Sequence, residues 1–263
     1  MSISATYEGV TRRRVARAEL TKFRSLRSSW VTLGLALLFL IGFGVIAAAQ
    51  ARTGNDAPGA EGATGYSMAL FGVTFALIAL GVLGVLTSSA EYTTGMIRST
   101  LAAVPRRLPV LWAKAATYGV IAFVVGAVGA LVAFLATSAI LSGTSSAVSL
   151  SDAGVVRGLL GAGVYLGLAG VIGVALGVLL RSTAGGISAL VGTFLLVPGL
   201  MALLPDSWSD AVTPYLPSNA GASLYALTQG DGALSAGAGL LVLLGWTALA
   251  LVGAAYRLKR SDA

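Results

Sequence analysis

The sequence contains no cysteine and no histidine. Their absence excludes thiolate nucleophiles, disulfides, imidazole general bases and the commonest zinc ligands. A Ser-His hydrolase is excluded with them. Only a Ser-Lys variant survives, and no lysine lies inside the apolar runs described below. Redox compartment is unreadable for the same reason. Charge is scarce as well: Asp, Glu, Lys and Arg make up 10% of the chain, against about 25% in a water-soluble domain. Hydrophobic residues reach 56% and mean hydropathy is +0.88. The solvent of such a chain is largely lipid. There is no G-x-x-x-x-G-K-[ST] phosphate loop either, and so no means of holding a nucleotide in that way.

What is present is glycine, 35 of 263 residues, close to twice the usual share of about 7%. That abundance anticipates close helix packing. Continuous apolar runs lie at about 31–49, 66–89, 115–141, 158–180, 184–204 and 237–256. Each is long enough for a helix crossing a hydrocarbon core about 30 Å thick. The runs do not alternate, which disfavours strands, and only helices or closed barrels satisfy backbone groups in lipid. The expected fold is all-α: a polytopic membrane protein with six transmembrane helices. The first run is followed by an A-x-A pattern at Ala49 and Ala51, but it exceeds a signal-peptide core and starts after thirty residues.

Residues 1–30 carry Arg12, Arg13, Arg14, Arg17, Lys22, Arg24 and Arg27 against Glu8 and Glu19. On a helical wheel Val15, Ala16, Leu20, Phe23, Leu26 and Trp30 share one face, interrupted by Glu19, and Arg13, Arg14, Arg17 and Arg24 share the other. This is either an amphipathic interfacial helix lying on an anionic leaflet or a basic flank that fixes topology. With the N-terminus inside, the inner segments hold fifteen basic and four acidic residues, and the outer segments two basic and six acidic. The positive-inside rule then places both termini in the cytoplasm, N-in/C-in. The basic excess is thus a topology signal, with no nucleic-acid partner implied. Trp30, Trp112 and Tyr256 fall at inner boundaries and Tyr66 at an outer one, as aromatic belts do.

The domain reading is therefore a cytoplasmic interfacial segment 1–30, a six-helix domain 31–256 with an inner loop 90–114 and an outer segment 205–236, and a cytoplasmic tail 257–263. Gly163, Gly167, Gly170, Gly173 and Gly177 fall on one face of the fourth run, with Leu160, Val164, Leu168, Val171 and Leu179 facing away. Such a stripe serves packing within the chain or a subunit interface. Runs four and five are joined by little more than Arg181, Ser182 and Thr183, which makes a tight inner hairpin. Pro198 is expected to kink the fifth helix. The outer segment, with a short helix expected near 219–228, is either a gate or a packed cap.

Within the inner loop, Met96, Ile97, Thr100, Leu101 and Val104 share one helical face, with Thr94 as cap and Pro105 as stop. That short amphipathic helix rests on headgroups or fills a groove in a soluble partner. The run SSAEYTTGMIRSTLAAVPRRLPVLWAK, residues 88–114, resembles the inner loop of bacterial ABC-exporter permease subunits of the type-2 family. AELTKFRSLRSSW, residues 18–30, resembles their amphipathic interfacial helix. The resemblance implies a loop that docks on a separate ABC ATP-binding subunit and a permease paired with a second copy or homologue. It also implies ATP and Mg on the partner, with no cofactor on this chain. Carried over, Glu91, Met96, Ile97, Arg98 and Leu101 are the coupling residues, and Glu19, Phe23 and Arg24 belong to the interfacial helix, with Glu19 set to meet a nearby base.

No catalytic or metal-binding residue is expected. No ionisable group lies well inside a run, which disfavours an independent ion-driven carrier. The expected function is the permease subunit of an ATP-driven exporter in the bacterial inner membrane, in contact with membrane lipid. The alternative is a non-transporting anchor or sensor that recruits a soluble partner.

Overall fold

Helix is the only regular structure among the described residues, 12–53, 64–93, 107–201, 203–230 and 232–260 of the computed structural model. A lipid solvent requires this of a backbone that must satisfy its own polar groups. Among these residues six stretches are long and apolar enough to cross a membrane: Arg27–Arg52, Gly65–Tyr92, Leu108–Ile140, Val155–Leu180, Thr183–Met201 and Ala236–Arg260.

Helix α1, Arg12–Ser25, stops at Leu26, which is extended (φ −89°, ψ 114°), and α2, Arg27–Arg52, begins beyond it. The continuous apolar face drawn through Phe23, Leu26 and Trp30 therefore does not form. Leu26 and Trp30 are exposed while Phe23 is buried. A short α3, Gly65–Ala69, is capped by the Thr64 side chain, which accepts from the Ser67 N–H. It leads through a turn into α4, Val73–Thr93. Helix α5, Arg107–Ile140, has 34 residues, or about 51 Å at 1.5 Å per residue, well over the roughly 30 Å hydrocarbon core. It starts before the apolar run because Val110 and Leu111 are already buried.

Helix α6, Val155–Leu180, lies at the centre. Its glycine stripe is what allows this. A side-chain carbon at Gly163 would press on Ala127, at Gly167 on Phe123, at Gly173 on the Gly81 carbonyl, and at Gly177 on Val85 and Ser88. The stripe thus packs within the chain, against α5 and α4 in turn, as small residues do where lipid offers no hydrophobic drive. Hydrogen bonds tie α4 to α6 and α5 to α4. Ser88 Oγ donates to the Val174 carbonyl at 2.9 Å, and Tyr118 Oη donates to the Leu80 carbonyl.

The hairpin after α6 turns at Arg181, the only non-glycine residue with positive φ (52°) among those described. Ser182 then caps α7, Thr183–Val191, by accepting from the Gly185 N–H. A π-helical turn, Gly192–Leu196, follows, and then α8, Val197–Met201. Pro198 supplies no N–H to the preceding turn, and the span answers with this wider turn, a recognised source of helix bending.

The segment after the fifth span folds back against the bundle. Helix α9, Asp206–Val212, and a 3₁₀ turn at Thr213–Tyr215 precede α10, Pro217–Tyr225, which packs between α6 and α11, Ala236–Arg260. Trp246 Nε1, ten residues into α11 and so about 15 Å from its start, donates to the Tyr215 carbonyl at 3.0 Å. From that depth α10 climbs along α6, with Gly221 against the Tyr165 ring and the Leu224 carbonyl against Gly161. Tyr66 is buried and donates to the Tyr225 carbonyl at 2.6 Å. It is a packing residue, not the belt residue expected from its place in the sequence.

Candidate functional site

At the end of the bundle that carries α1, four charged side chains from three helices meet. Lys114 Nζ on α5 lies 2.7 Å from Glu19 Oε2 on α1 and 2.9 Å from Glu91 Oε1 on α4. Lys22 Nζ on α1 lies 3.2 Å from Glu19 Oε1 and 3.1 Å from Glu91 Oε1. The charges alternate around a closed ring whose net charge is zero. Lys114 also donates to the Thr87 carbonyl at 3.3 Å.

Glu19, Glu91 and Lys114 are buried, while the Lys22 side chain is 35% exposed. Burial by itself lowers the Lys22 pKa. The Glu19 and Glu91 carboxylates more than offset this, and the pKa lies above its ordinary value. Lys22 is therefore charged at neutral pH. Buried pairs contribute little net stability after desolvation, but removing one member leaves an uncompensated charge. The ring fixes which surfaces of α1, α4 and α5 meet.

Local sequence explains the convergence. Glu19 and Lys22 sit three residues apart, one turn of α1, and Phe23 beside them packs its ring 5.9 Å from Tyr118 on α5. Glu91 lies in the last turn of α4 and Lys114 in the second turn of α5, so the pair brackets residues 94–106. A cavity of about 470 Å³ opens beside the ring, between α1, the start of α2, the end of α4 and the start of α5.

Of the residues expected to matter, Glu19, Phe23 and Glu91 come together here. Arg24 is exposed, and its carbonyl accepts from Trp30 Nε1 at 3.1 Å. Met96, Ile97, Arg98 and Leu101 lie outside the described residues. Sequence reasoning missed Lys22 and Lys114 as site residues, counting them only as topology charges. The one signal that pointed to them was Glu19 interrupting the apolar face of its helix. Both carboxylates of the ring are occupied by lysines, and no cluster of three or more potential metal ligands occurs among the described residues.

The ring joins α1 to α4 and α5, the two helices that flank residues 94–106. A profile of ABC-2 family transporter proteins matches residues 16–199. The chain belongs to the ABC-2 transporter family. The match runs from α1 through most of the fifth span and includes all four residues of the ring. No curated protein matches the chain. As an ABC-2 protein with six apolar spans it is a multi-pass membrane permease.

Proposed function

We propose that the chain is the permease subunit of an ATP-driven exporter, with the α1 end facing the cytoplasm of a bacterial cell and the spans in its inner membrane. A separate ABC subunit binds and hydrolyses ATP with Mg, and docks on the loop between α4 and α5 through Met96, Ile97, Arg98 and Leu101. Glu91 acts from inside the bundle, where it is tied to Lys114. Two permease chains, identical or homologous, enclose the pathway.

One observation supports this reading above the others: the Glu19–Lys22–Glu91–Lys114 ring ties both ends of the loop, and α1, into one body. A force applied to residues 94–106 is then delivered to α4 and α5 together instead of being lost in a flexible hinge. Coupling of this kind needs two-state elements that both sites bias, and helices locked at one end move as units.

The test is co-purification of the chain with its ATP-binding partner, followed by ATPase measurement in vesicles. Met96→Asp, Ile97→Asp and Leu101→Asp together are expected to abolish association and permease-stimulated hydrolysis. If no ATP-binding protein co-purifies and the triple substitution alters nothing, the chain is an anchor or sensor instead.

A further inference from the structure

The fifth span is built in two halves of unlike packing. Its first half, α7, is fixed to the bundle. The Thr183 hydroxyl lies 2.9 Å from that of Ser89 on α4. Leu190 is buried, and a side-chain carbon at Gly81 of α4 would press on it, as one at Gly186 would on Val85. The second half, α8, has no buried residue. It packs chiefly on its own chain neighbours, the π-helical turn and α9, and Leu196, Leu200 and Leu203 are exposed. Thr183 lies beside the last turns of α4, close to Glu91 of the ion ring, so this loosely held half is at the opposite end of the bundle.

Between the halves, the π-helical turn combines an anchor with a weakened backbone. Phe194 is buried, its ring centroid 6.3 Å from that of Tyr165 on α6. The Val197 N–H bonds to the Gly192 carbonyl five residues back, and Pro198 brings no N–H to the turn behind it. Gly192 and Gly199 flank this point, and a side-chain carbon at either would meet nothing within 4 Å. Close packing therefore does not require these glycines, and each makes its turn of helix easier to bend. Beyond α9 the chain is fixed again. Trp246 donates to the Tyr215 carbonyl, and Asn219 Nδ2 on α10 donates to the Thr213 carbonyl at 2.8 Å.

We propose that the π-helical turn Gly192–Leu196 is a hinge, about which α8 and α9 swing together as an arm between two fixed points, Phe194 and the Tyr215 carbonyl. Helices α7 and α10 stay in place. Leu200 lies six residues beyond Phe194, about 9 Å along a helix, so a bend of about 30° moves it by about 4–5 Å. The exposed Trp208 and Val212 of α9 travel with it. This divides the segment that the sequence left as either gate or cap: α10 is the packed cap, and the arm before it is the moving part. The motion belongs to this chain alone and holds whether or not an ATP-binding subunit docks.

The chain has no native cysteine, so paired substitutions take spin labels specifically. Leu160→Cys on α6 is the fixed reference, paired in turn with Leu200→Cys on α8 and Ser188→Cys on α7, all at exposed positions. Pulsed electron paramagnetic resonance reads both distances in lipid nanodiscs, with labelled chain diluted in unlabelled chain to remove distances between copies. The 160–200 distribution is expected to be wider than the 160–188 distribution by about 4–5 Å. Gly192→Ala, Pro198→Ala and Gly199→Ala together, which favour an unbroken helix, are expected to narrow the first distribution to the width of the second and to leave the second unchanged. Phe194→Ala, which removes the anchor, is expected to widen the second. Equal widths in the otherwise unsubstituted chain mean that the span moves, or rests, as one rigid body, and overturn the hinge. So does a first distribution that stays wide in the triple variant, or a second that stays narrow in Phe194→Ala.

Discussion

Lys114 and Glu19 stand 95 positions apart in the chain, and their side chains meet at 2.7 Å in a buried setting. The contact is the junction between α1 and the bundle of apolar spans. Replacing Lys114 by Met leaves Glu19 and Glu91 with Lys22 alone, and Lys22 is partly solvated. Loss of one member of a buried ion group costs about 3–5 kcal/mol. Lys114→Met is therefore expected to lower the thermal unfolding midpoint sharply. Adding Glu91→Gln is expected to recover part of the loss, because one uncompensated charge is removed with the other. A double-mutant cycle on purified protein measures the coupling.

The raised pKa of Lys22 makes a pH prediction with a definite sign. A group whose pKa is raised on folding contributes stability that is fully present below its ordinary value and lost as pH climbs through the raised one. Between about pH 7 and about pH 9 the lysine stays charged, and docking of α1 is expected to be unchanged by this group. Chymotryptic cleavage after Phe23, which is buried against Tyr118, reports the docking. A rise in cleavage over that interval in the wild type, absent in Lys22→Gln, contradicts the assignment.

The spans were legible in the sequence because each is a continuous apolar run, and hydrocarbon admits few other backbone arrangements. The glycine stripe of α6 was legible as a face, and its partners were not, since spacing on one helix carries no information about the neighbour. Lys114 was hidden for a related reason. An apolar run begins at residue 115, so a linear reading assigns the lysine to a loop. In the structure α5 starts at Arg107, and the lysine becomes a helical residue with two carboxylates in reach. The short helix expected near 219–228 is found as α10, Pro217–Tyr225, but its packing between α6 and α11 was not legible, since composition marks a helix and says nothing of its neighbours.

The glycine stripe gives a stability contrast. Gly173→Ala places a carbon against the Gly81 carbonyl, where backbone must move, and is expected to cost about 1–3 kcal/mol. Gly34→Ala on α2 meets nothing within 4 Å, and is expected to stabilise by up to about 1 kcal/mol through helix propensity alone. Thermal unfolding in detergent distinguishes the two, and equal effects would mean that α6 does not pack on α4 through Gly173.

The packing of α10 depends on side chains that serve its carbonyls. Arg157 donates to the Leu224 carbonyl at 3.3 Å and to the Ala226 carbonyl at 2.8 Å, and Tyr66 serves the Tyr225 carbonyl between them. No backbone group can be left unsatisfied away from water without cost, about 1–3 kcal/mol for each buried acceptor. Arg157→Met and Tyr66→Phe are each expected to raise hydrogen exchange across Pro217–Tyr225 while leaving α4 and α6 protected. Arg157→Lys is expected to restore protection only in part, because an ammonium lacks the planar fork that spans two acceptors. Unchanged exchange in both Arg157→Met and Tyr66→Phe would mean that water already satisfies these carbonyls, and that α10 lies at the surface of the bundle instead of within it.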